Sequence, residues 1–117
     1  MKNNFKELEC NVVQWAKDKG ILENGNPLAQ ARKTLEEANE LYEACEAQSK
    51  GLFEFINSKG NRVNTKYEIE DGIGDTLVTL IIQAKKQNLK IEDCLASAYD
   101  VIKKRNGKMI DGQFVKD

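Results

Sequence analysis

The chain has 117 residues, of which 40% are hydrophobic and 32% charged, and its formal net charge is −1. This composition predicts one globular domain spanning residues 1–117, and it is typical of neither a basic nucleic-acid-binding protein nor a disordered acidic tail. The sequence contains no histidine, which excludes histidine-based catalytic triads, most zinc sites and the Glu-x-x-His pairs of di-iron bundles. Any chemistry must therefore rest on carboxylates, lysine, arginine, tyrosine or a bound ion.

Membrane insertion and export are not expected. No apolar run approaches the roughly 18 residues that a membrane helix needs, and the first six residues are not followed by an apolar signal segment. We therefore expect a cytoplasmic protein. The odd number of cysteines, Cys10, Cys45 and Cys94, on or beside apolar helix faces favours reduced core residues over disulfides or metal ligands.

The first part of the chain predicts two helices joined by a loop. Apolar residues recur at intervals of three and four from Asn4 to Lys19, which indicates an amphipathic helix ended by Gly20. Residues 21–26 are predicted to form the loop. Asn26 is a candidate N-cap for the second helix, and Pro27 suits its first turn. That helix should run to about residue 50, with a possible bent continuation through residues 52–56.

The second half predicts two more helices and a hairpin. After a polar turn at residues 57–61, a helix should begin at residue 64 or 65 and reach residue 87. Another helix is expected over residues 91–105. Apolar residues on both sides of Asp111-Gly112 predict a hairpin over residues 109–115, which should lie against the helices or a partner subunit. The predicted fold is all-α, a bundle of four to five helices with a short C-terminal hairpin-like tail.

Two predicted helices carry clustered acids. Glu37 and Glu40 share one face of the second helix, while Asp71 and Asp75 stand four apart on the third, with Glu68 one turn earlier. Oxygen ligands from two packed helices suit a hard cation, Mg²⁺ with Mn²⁺ as a substitute. The second helix should pack through an apolar stripe formed by Leu35, Ala38, Leu41, Tyr42 and Cys45.

Two glycines lie inside the third helix. Gly72 and Gly74 each cost about 1 kcal/mol relative to alanine in a helix. A ligand, an ion or a neighbouring helix that approaches closely beside Asp71 and Asp75 would compensate for this cost. Close helix packing alone is the equally weighted alternative.

The acidic motifs resemble the signature of the MazG-like family of all-α nucleoside triphosphate pyrophosphohydrolases. The family pattern is Glu-Glu-x-x-Glu followed on the next helix by Glu-x-x-Asp. Glu36, Glu37 and Glu40 match the first half. In the second half, Gly72 stands where the family has an acid, and the nearest acid is one residue earlier, at Asp71. The segments around residues 12–16, 26–30 and 99–116 are also similar to those of small phage and bacterial members.

The resemblance implies a reaction and a set of residues. The family converts a nucleoside triphosphate and water to a monophosphate and pyrophosphate, which removes unwanted nucleotides. The resemblance also implies a homodimer or a homotetramer. The implied metal ligands are Glu37, Glu40, Asp71 and Asp75, with Glu36 or Glu37 as the base. The candidate substrate contacts are Trp15, Asn26, Gln30, Lys33, Tyr99, Lys103, Arg105 and Lys108.

Structural alternatives exist for several of these residues. Trp15 and Tyr99 also fit the core stripes of their helices, and Lys33 is spaced to pair with Glu37. Cations near residue 104 also suit a helix C-terminus. The rival function is a catalytically inactive MazG-like helical interaction module whose altered second motif no longer holds metal. Nucleic-acid binding is disfavoured by the acids and the net charge.

Overall fold

The computed structural model describes residues 4–117 and is mostly helical over that range. Residues 1–3, part of the N-terminal stretch in which no signal segment is expected, lie outside the described residues. In chain order the elements are α1 (Phe5–Asp18), α2 (Ile21–Asn24), α3 (Pro27–Ser49), β1 (Glu54–Ile56), β2 (Arg62–Asn64), α4 (Thr65–Lys86), α5 (Ile91–Ile102), β3 (Gly107–Ile110) and β4 (Gln113–Lys116).

Asparagine side chains fix the starts of the three longest helices. Asn4, Asn26 and Asn64 precede α1, α3 and α4, and each side-chain Oδ1 accepts the N–H of the residue three positions later at 2.8–2.9 Å. These bonds satisfy backbone donors that have no partner within the helix. The predicted N-cap at Asn26 is confirmed, and Asn64 is the cap of α4.

The core lies where α3 and α4 pack along each other, with α1 crossing α4. Its buried apolar residues are mostly small, namely Ala16, Ala44, Ala47, Ala84, Ile81 and Ile82. Gly72 is part of this contact, because a Cβ added there would lie 3.0 Å from Leu41 Cβ and 3.2 Å from Leu41 Cα. Small side chains let the two helix backbones approach closely, and Gly72 therefore serves helix packing.

The prediction of an all-α fold is wrong. β1 and β2 form an antiparallel hairpin in which Phe55 pairs with Val63. The possible helical continuation through residues 52–56 is wrong for the same reason. Gly51, with φ of 75°, ends α3 in a left-handed conformation that a helix cannot continue through. The Thr65 N–H then donates to the Phe53 carbonyl at 2.8 Å, which anchors the hairpin to the start of α4.

Two helix boundaries also differ from the prediction. Residues 21–24, expected in a loop, form the short helix α2. α5 ends at Ile102, three residues earlier than expected, and a turn follows it.

The hairpin around Asp111-Gly112 is confirmed: both residues have positive φ, 50° and 82°, and Ile110 pairs with Gln113 across the two-residue turn.

The inward face of α3 is not the predicted stripe. Leu41 is half-buried, but Leu35 and Tyr42 are 71% and 64% exposed, and Ala38 and Cys45 are also exposed. Polar and small residues take their place, because the buried residues of α3 are Gln30, Glu37, Ala44 and Ala47. The other apolar face of α3 is left open.

The three cysteines, like most of the predicted stripe of α3, lie at the surface. Cys10, Cys45 and Cys94 are all free, as expected of reduced thiols, but all three are exposed, so the prediction that they are core residues is wrong. Over residues 4–117, no helix combines the length and apolar character needed to cross a membrane.

Candidate functional site

Five carboxylates from α3 and α4 lie near the contact between these helices. The pKa of Asp75 shows that these carboxylates lie close together. Burial raises this pKa, and Asp71 raises it further through its charge and a hydrogen bond. The charge of Glu40, on the facing helix, raises it as well. The pKa of Glu68 is likewise raised by burial and then by the charges of Asp71 and Glu40. The acids of the two motifs therefore form one cluster, made up of Glu37, Glu40, Glu68, Asp71 and Asp75.

Glu37 is the buried member of the acidic cluster. The residue is only 9% exposed, and its Oε1 lies 3.4 Å from Lys33 Nζ. Its Oε2 is buried without a hydrogen-bond partner among residues 4–117. Burial raises the Glu37 pKa, and the neighbouring carboxyl group of Glu40 raises it further. A buried carboxylate oxygen without a partner is costly, and it indicates that a donor or cation belongs beside it.

Glu40 is paired with a lysine that the sequence reasoning missed. Lys59 lies in the turn between β1 and β2, and its Nζ is 2.7 Å from Glu40 Oε1 and 3.8 Å from Glu36 Oε1. The hydrogen bond from Lys59 holds the pKa of Glu40 below its usual range. No sequence signal could have found Lys59, because a lysine in a polar turn is ordinary.

Asp71 lies where it can take the place of the acid that the motif lacks at Gly72. The two residues are adjacent, but Gly72 faces Leu41, whereas Asp71 lines an open cavity of about 330 Å³ together with Asp75 and Gly74. A glutamate at position 72 would have to separate α3 from α4. Asp71 is therefore better placed than residue 72 to supply an oxygen to the cluster.

A cavity of about 240 Å³ opens beside Glu37 and Asp75. Trp15, Gln30 and Lys33, all predicted substrate contacts, also line it. Gln30 is buried and donates through Nε2 to the Thr79 carbonyl at 3.1 Å, while Trp15 is 49% exposed. A second cavity, of about 370 Å³, shares Trp15, Asp75 and Val78 with it. α1, α3 and α4 thus place a flat aromatic wall, an amide and an ammonium next to the acids.

The other predicted substrate contacts are not brought to this place. Asn26 caps α3 and is exposed. On α5, the Tyr99 ring lies 5.7 Å from Lys103 Nζ, which is also 3.1 Å from Asp100 Oδ1. Arg105 and Lys108 are exposed beyond the end of α5. Within residues 4–117, none of these side chains lines either cavity beside Glu37 and Asp75.

The acidic cluster fits a hard divalent cation by its chemistry. Its donors are carboxylate oxygens, and one of them, Glu37 Oε2, has no hydrogen-bond partner in the described part of the chain. In their present arrangement, however, the described residues contain no group of three or more acidic or thiol side chains set to hold a metal ion. Ammonium groups take part of that role, since Lys33 lies 3.4 Å from both Glu36 and Glu37 and Lys59 contacts Glu40.

Comparison with known proteins adds little to this description. No family model and no solved structure matches the chain. The chain is 31% identical over 86 residues to a protein of Haemophilus phage HP1 (strain HP1c1) described as an uncharacterized 18.2 kDa protein in the rep-hol intergenic region. The match covers 74% of this chain and 43% of the phage protein, so the chain spans less than half of that relative's length.

Proposed function

We propose that this chain is a MazG-like, Mg²⁺-dependent nucleoside triphosphate pyrophosphohydrolase that acts in the cytoplasm on surplus or unwanted nucleotides. The observation that carries the proposal is the unpartnered Oε2 of Glu37, buried within the acidic cluster and beside a cavity of about 240 Å³. A buried carboxylate oxygen without a partner costs folding free energy, and a cation bound at the acidic cluster would offset that cost.

Glu37, Glu40, Asp71 and Asp75 are the proposed ligands of Mg²⁺, with Mn²⁺ as a substitute. When bound, the ion neutralises the cluster and polarises the phosphoryl group. Glu36 is the first candidate for the base that accepts a proton from water. Its side chain is 48% exposed, and its ion-pair partners are Lys33 and Lys59, not the proposed ligands. Glu37 is the second candidate for this base.

The reaction places different demands on the chain's other residues. A water oxygen attacks the α-phosphorus, the bond to the bridging oxygen breaks, pyrophosphate leaves, and the carboxylate base takes the proton. Lys33, half-exposed at the cavity, is suited to bind a phosphate oxygen. Trp15 offers a stacking surface for the base, and Gln30 Oε1, which accepts no hydrogen bond among residues 4–117, can bind a donor group.

The proposal includes a homodimer or homotetramer. On the open face of α3, Leu28, Leu35 and Tyr42 repeat every seven residues, and all three are exposed. Ala38 and Cys45, three residues after Leu35 and Tyr42, are exposed as well. This is the heptad spacing of helices that pair. Tyr99, Lys103, Arg105 and Lys108 line neither cavity beside the acids within one subunit, and the proposal includes a substrate pocket built across two subunits.

The first experiment measures pyrophosphate release from a panel of common and modified nucleoside triphosphates, with Mg²⁺, with Mn²⁺ and with a chelator. We expect metal-dependent release from at least one substrate and its loss in Glu37→Gln and Asp75→Asn. Glu23→Gln, an exposed acid of α2, is the matched control and should retain activity. Undiminished release in the presence of chelator would contradict the proposal.

A catalytically inactive interaction module is the second candidate. The ion pairs of Lys33 and Lys59 favour it, since both neutralise acids of the cluster without a metal. Under this reading no triphosphate in the panel is hydrolysed, and Glu37→Gln leaves partner binding unchanged. Metal-dependent turnover of a single nucleotide would exclude it.

A further inference from the structure

Hydrogen bonds within the turn between β1 and β2 fix the backbone at Lys59. The Asn57 side-chain Oδ1 accepts the N–H groups of Lys59 at 3.1 Å and Asn61 at 2.9 Å, and the Asn57 carbonyl accepts the Gly60 N–H at 2.9 Å. Side-chain bonds of this kind replace backbone pairing in tight turns. The base of the Lys59 side chain is thereby fixed, while its long stem remains free to rotate.

This turn is also attached to α3. The Ser58 N–H donates to Glu43 Oε1 at 3.1 Å, one helical turn beyond Glu40. Lys59 Nζ then lies 2.7 Å from Glu40 Oε1 and 3.8 Å from Glu36 Oε1. The Lys59 side chain is 56% exposed, so it can leave these acids without disturbing the core. The ammonium thus lies at one side of the acidic cluster, held only by charge and hydrogen bonding.

We propose that Lys59 is an internal cation that occupies the Glu40 side of the acidic cluster and must leave when a divalent cation binds there. The inference rests on the proposed function, because it takes Glu40 as a metal ligand. Lys59 Nζ is 2.7 Å from Glu40 Oε1. A divalent cation bound to the same oxygen at about 2.1 Å would lie within about 5 Å of the ammonium, and like charges that close repel each other. Once released, Lys59 is free to bind a phosphate oxygen of the nucleotide.

The test measures binding of Mg²⁺ alone, by calorimetry, to wild type, Lys59→Ala and Arg62→Ala. Arg62 is the matched control: it belongs to the same hairpin and carries the same charge, but it pairs with Glu54 at 3.3 Å. Removing the competing ammonium should tighten Mg²⁺ binding by about two- to fivefold. Arg62→Ala should change the affinity by less than about twofold, because exposed charges farther from the site are largely screened.

The outcomes separate this inference from the proposed function. Tighter binding by Lys59→Ala, or binding by that variant alone, supports the inference. Equal or weaker binding by Lys59→Ala, with Mg²⁺ bound by wild type, overturns the inference and leaves the proposed function standing. Absence of Mg²⁺ binding in all three proteins overturns both.

A second measurement does not depend on a variant. Amine-selective labelling of wild type, read residue by residue by mass spectrometry, reports whether each ammonium is engaged. Saturating Mg²⁺ should raise the labelling rate of Lys59 a few-fold as it leaves Glu40, while Lys19, which is exposed outside the acidic cluster, should be unchanged. An unchanged Lys59 rate at saturating Mg²⁺ would overturn the inference.

Discussion

Burial of the Glu37 carboxylate beside Glu40 costs folding free energy that the Lys33 contact at 3.4 Å offsets only in part. Lys33 is half-exposed, and an ion pair with an exposed partner contributes little, typically about 0–1 kcal/mol. The Glu37 pKa is raised because burial and Glu40, which favour the neutral form in the folded protein, outweigh the opposite effect of Lys33. Without a bound cation, a neutral side chain of the same shape at position 37 should increase the free energy of unfolding.

Glu37→Gln should therefore stabilise the metal-free protein at pH 7. We expect a rise in Tm of a few degrees, on the order of 1 kcal/mol or less in unfolding free energy, measured by thermal melting in chelator. The same variant should lose both Mg²⁺ binding and its stabilisation by Mg²⁺. Glu23→Gln should leave the Tm unchanged in either condition. A clear fall in Tm for Glu37→Gln without metal would show that the Lys33 pair outweighs burial.

Asn26 offers a test that separates capping from substrate binding. Its side chain accepts the Ala29 N–H at 2.8 Å, so Asn26→Ala should lower the unfolding free energy by about 1 kcal/mol. Asn26→Ser should restore most of it, because serine caps helices well. Denaturant titration checks both values. If Asn26→Ser kept the stability but raised the KM for a nucleotide, the residue would be a substrate contact as well as a cap.

At the scale of elements, the two glycines of α4 play different parts. A Cβ at Gly72 would lie 3.0 Å from Leu41 Cβ, whereas a Cβ at Gly74 would meet no atom within 4 Å. The compensation expected for Gly72 is thus a neighbouring helix. Gly74 instead lines the open cavity beside Asp71 and Asp75, where nothing in the described chain fills the space.

Alanine at the two positions should have effects of opposite sign. Gly74→Ala should stabilise the protein by about 0.5–1 kcal/mol through helix propensity alone. Gly72→Ala gains the same propensity but must push α3 from α4, and overpacking of this kind typically costs about 1–3 kcal/mol. Urea unfolding of the pair measures the difference. Equal stabilisation by both would show that Leu41 yields easily.

The helix starts could be predicted because capping is local. Asn26 and Asn64 are recognisable from the few residues that follow them. The buried face of α3 could not be predicted, since α3 has apolar residues on one side and small residues with Glu37 on another. Periodicity favours the larger residues, Leu35 and Tyr42, yet close contact with α4 selects the smaller ones.

The β1–β2 hairpin and its contribution to the acidic cluster were beyond sequence reasoning. Strands of three residues carry almost no alternation, and Glu54–Ile56 reads equally well as helix. Lys59 approaches Glu40 only through the tertiary placement of that hairpin. The acids themselves were predictable, because spacing along a helix determines which residues share a face. The separation of Tyr99 and Arg105 from those acids depends on where α5 lies, which no local pattern specifies.

At the scale of the whole molecule, the acidic cluster should make stability depend on pH. The pKa values of Glu37, Glu68 and Asp75 are raised and that of Glu40 is lowered. A raised pKa adds stability that is complete below the ordinary value, 4.5 for Glu and 3.8 for Asp, and is lost as the pH rises through the folded value. Glu40 acts in the opposite sense, but it is one group against three.

Metal-free protein should therefore lose stability as the pH rises above the ordinary pKa values of 4.5 for Glu and 3.8 for Asp, because these acids become charged while close together. Thermal melts across this range, with chelator and with Mg²⁺, provide the measurement. Mg²⁺ should flatten the profile, and so should the double variant Glu37→Gln, Asp75→Asn in chelator. A Tm that rose with pH in metal-free wild type would contradict the assignment of the cluster.

The dimensions of the chain bear on the proposed self-association. Its radius of gyration is 16.7 Å, whereas a compact chain of about 100 residues has a radius of about 13 Å. No residue of α5, β3 or β4 is buried, and apolar side chains such as Leu95 and Phe114 are more than half exposed. An isolated subunit would leave these surfaces in water, which favours an assembly that covers them.

Leu35→Glu should test this assembly. Leu35 is 71% exposed, so in a monomer the change would alter unfolding free energy by no more than about 0.5 kcal/mol. In a paired α3 it places a charge in the contact, and sedimentation should show dissociation to monomer. Arg32→Glu, on an exposed polar position of the same helix, is the control. A wild-type protein that sediments as a monomer at all concentrations would contradict the proposed oligomer.

The unpartnered oxygen of Glu37 also bears on how this chain could evolve. If replacing that acid by a neutral residue stabilises the fold, then mutation and selection for folding alone would remove the acid. A descendant that no longer needed a cation would be expected to drift toward glutamine or an apolar residue at position 37. Within a set of relatives, loss of Glu37 would thus identify the lineages that lost cation binding but retained the fold.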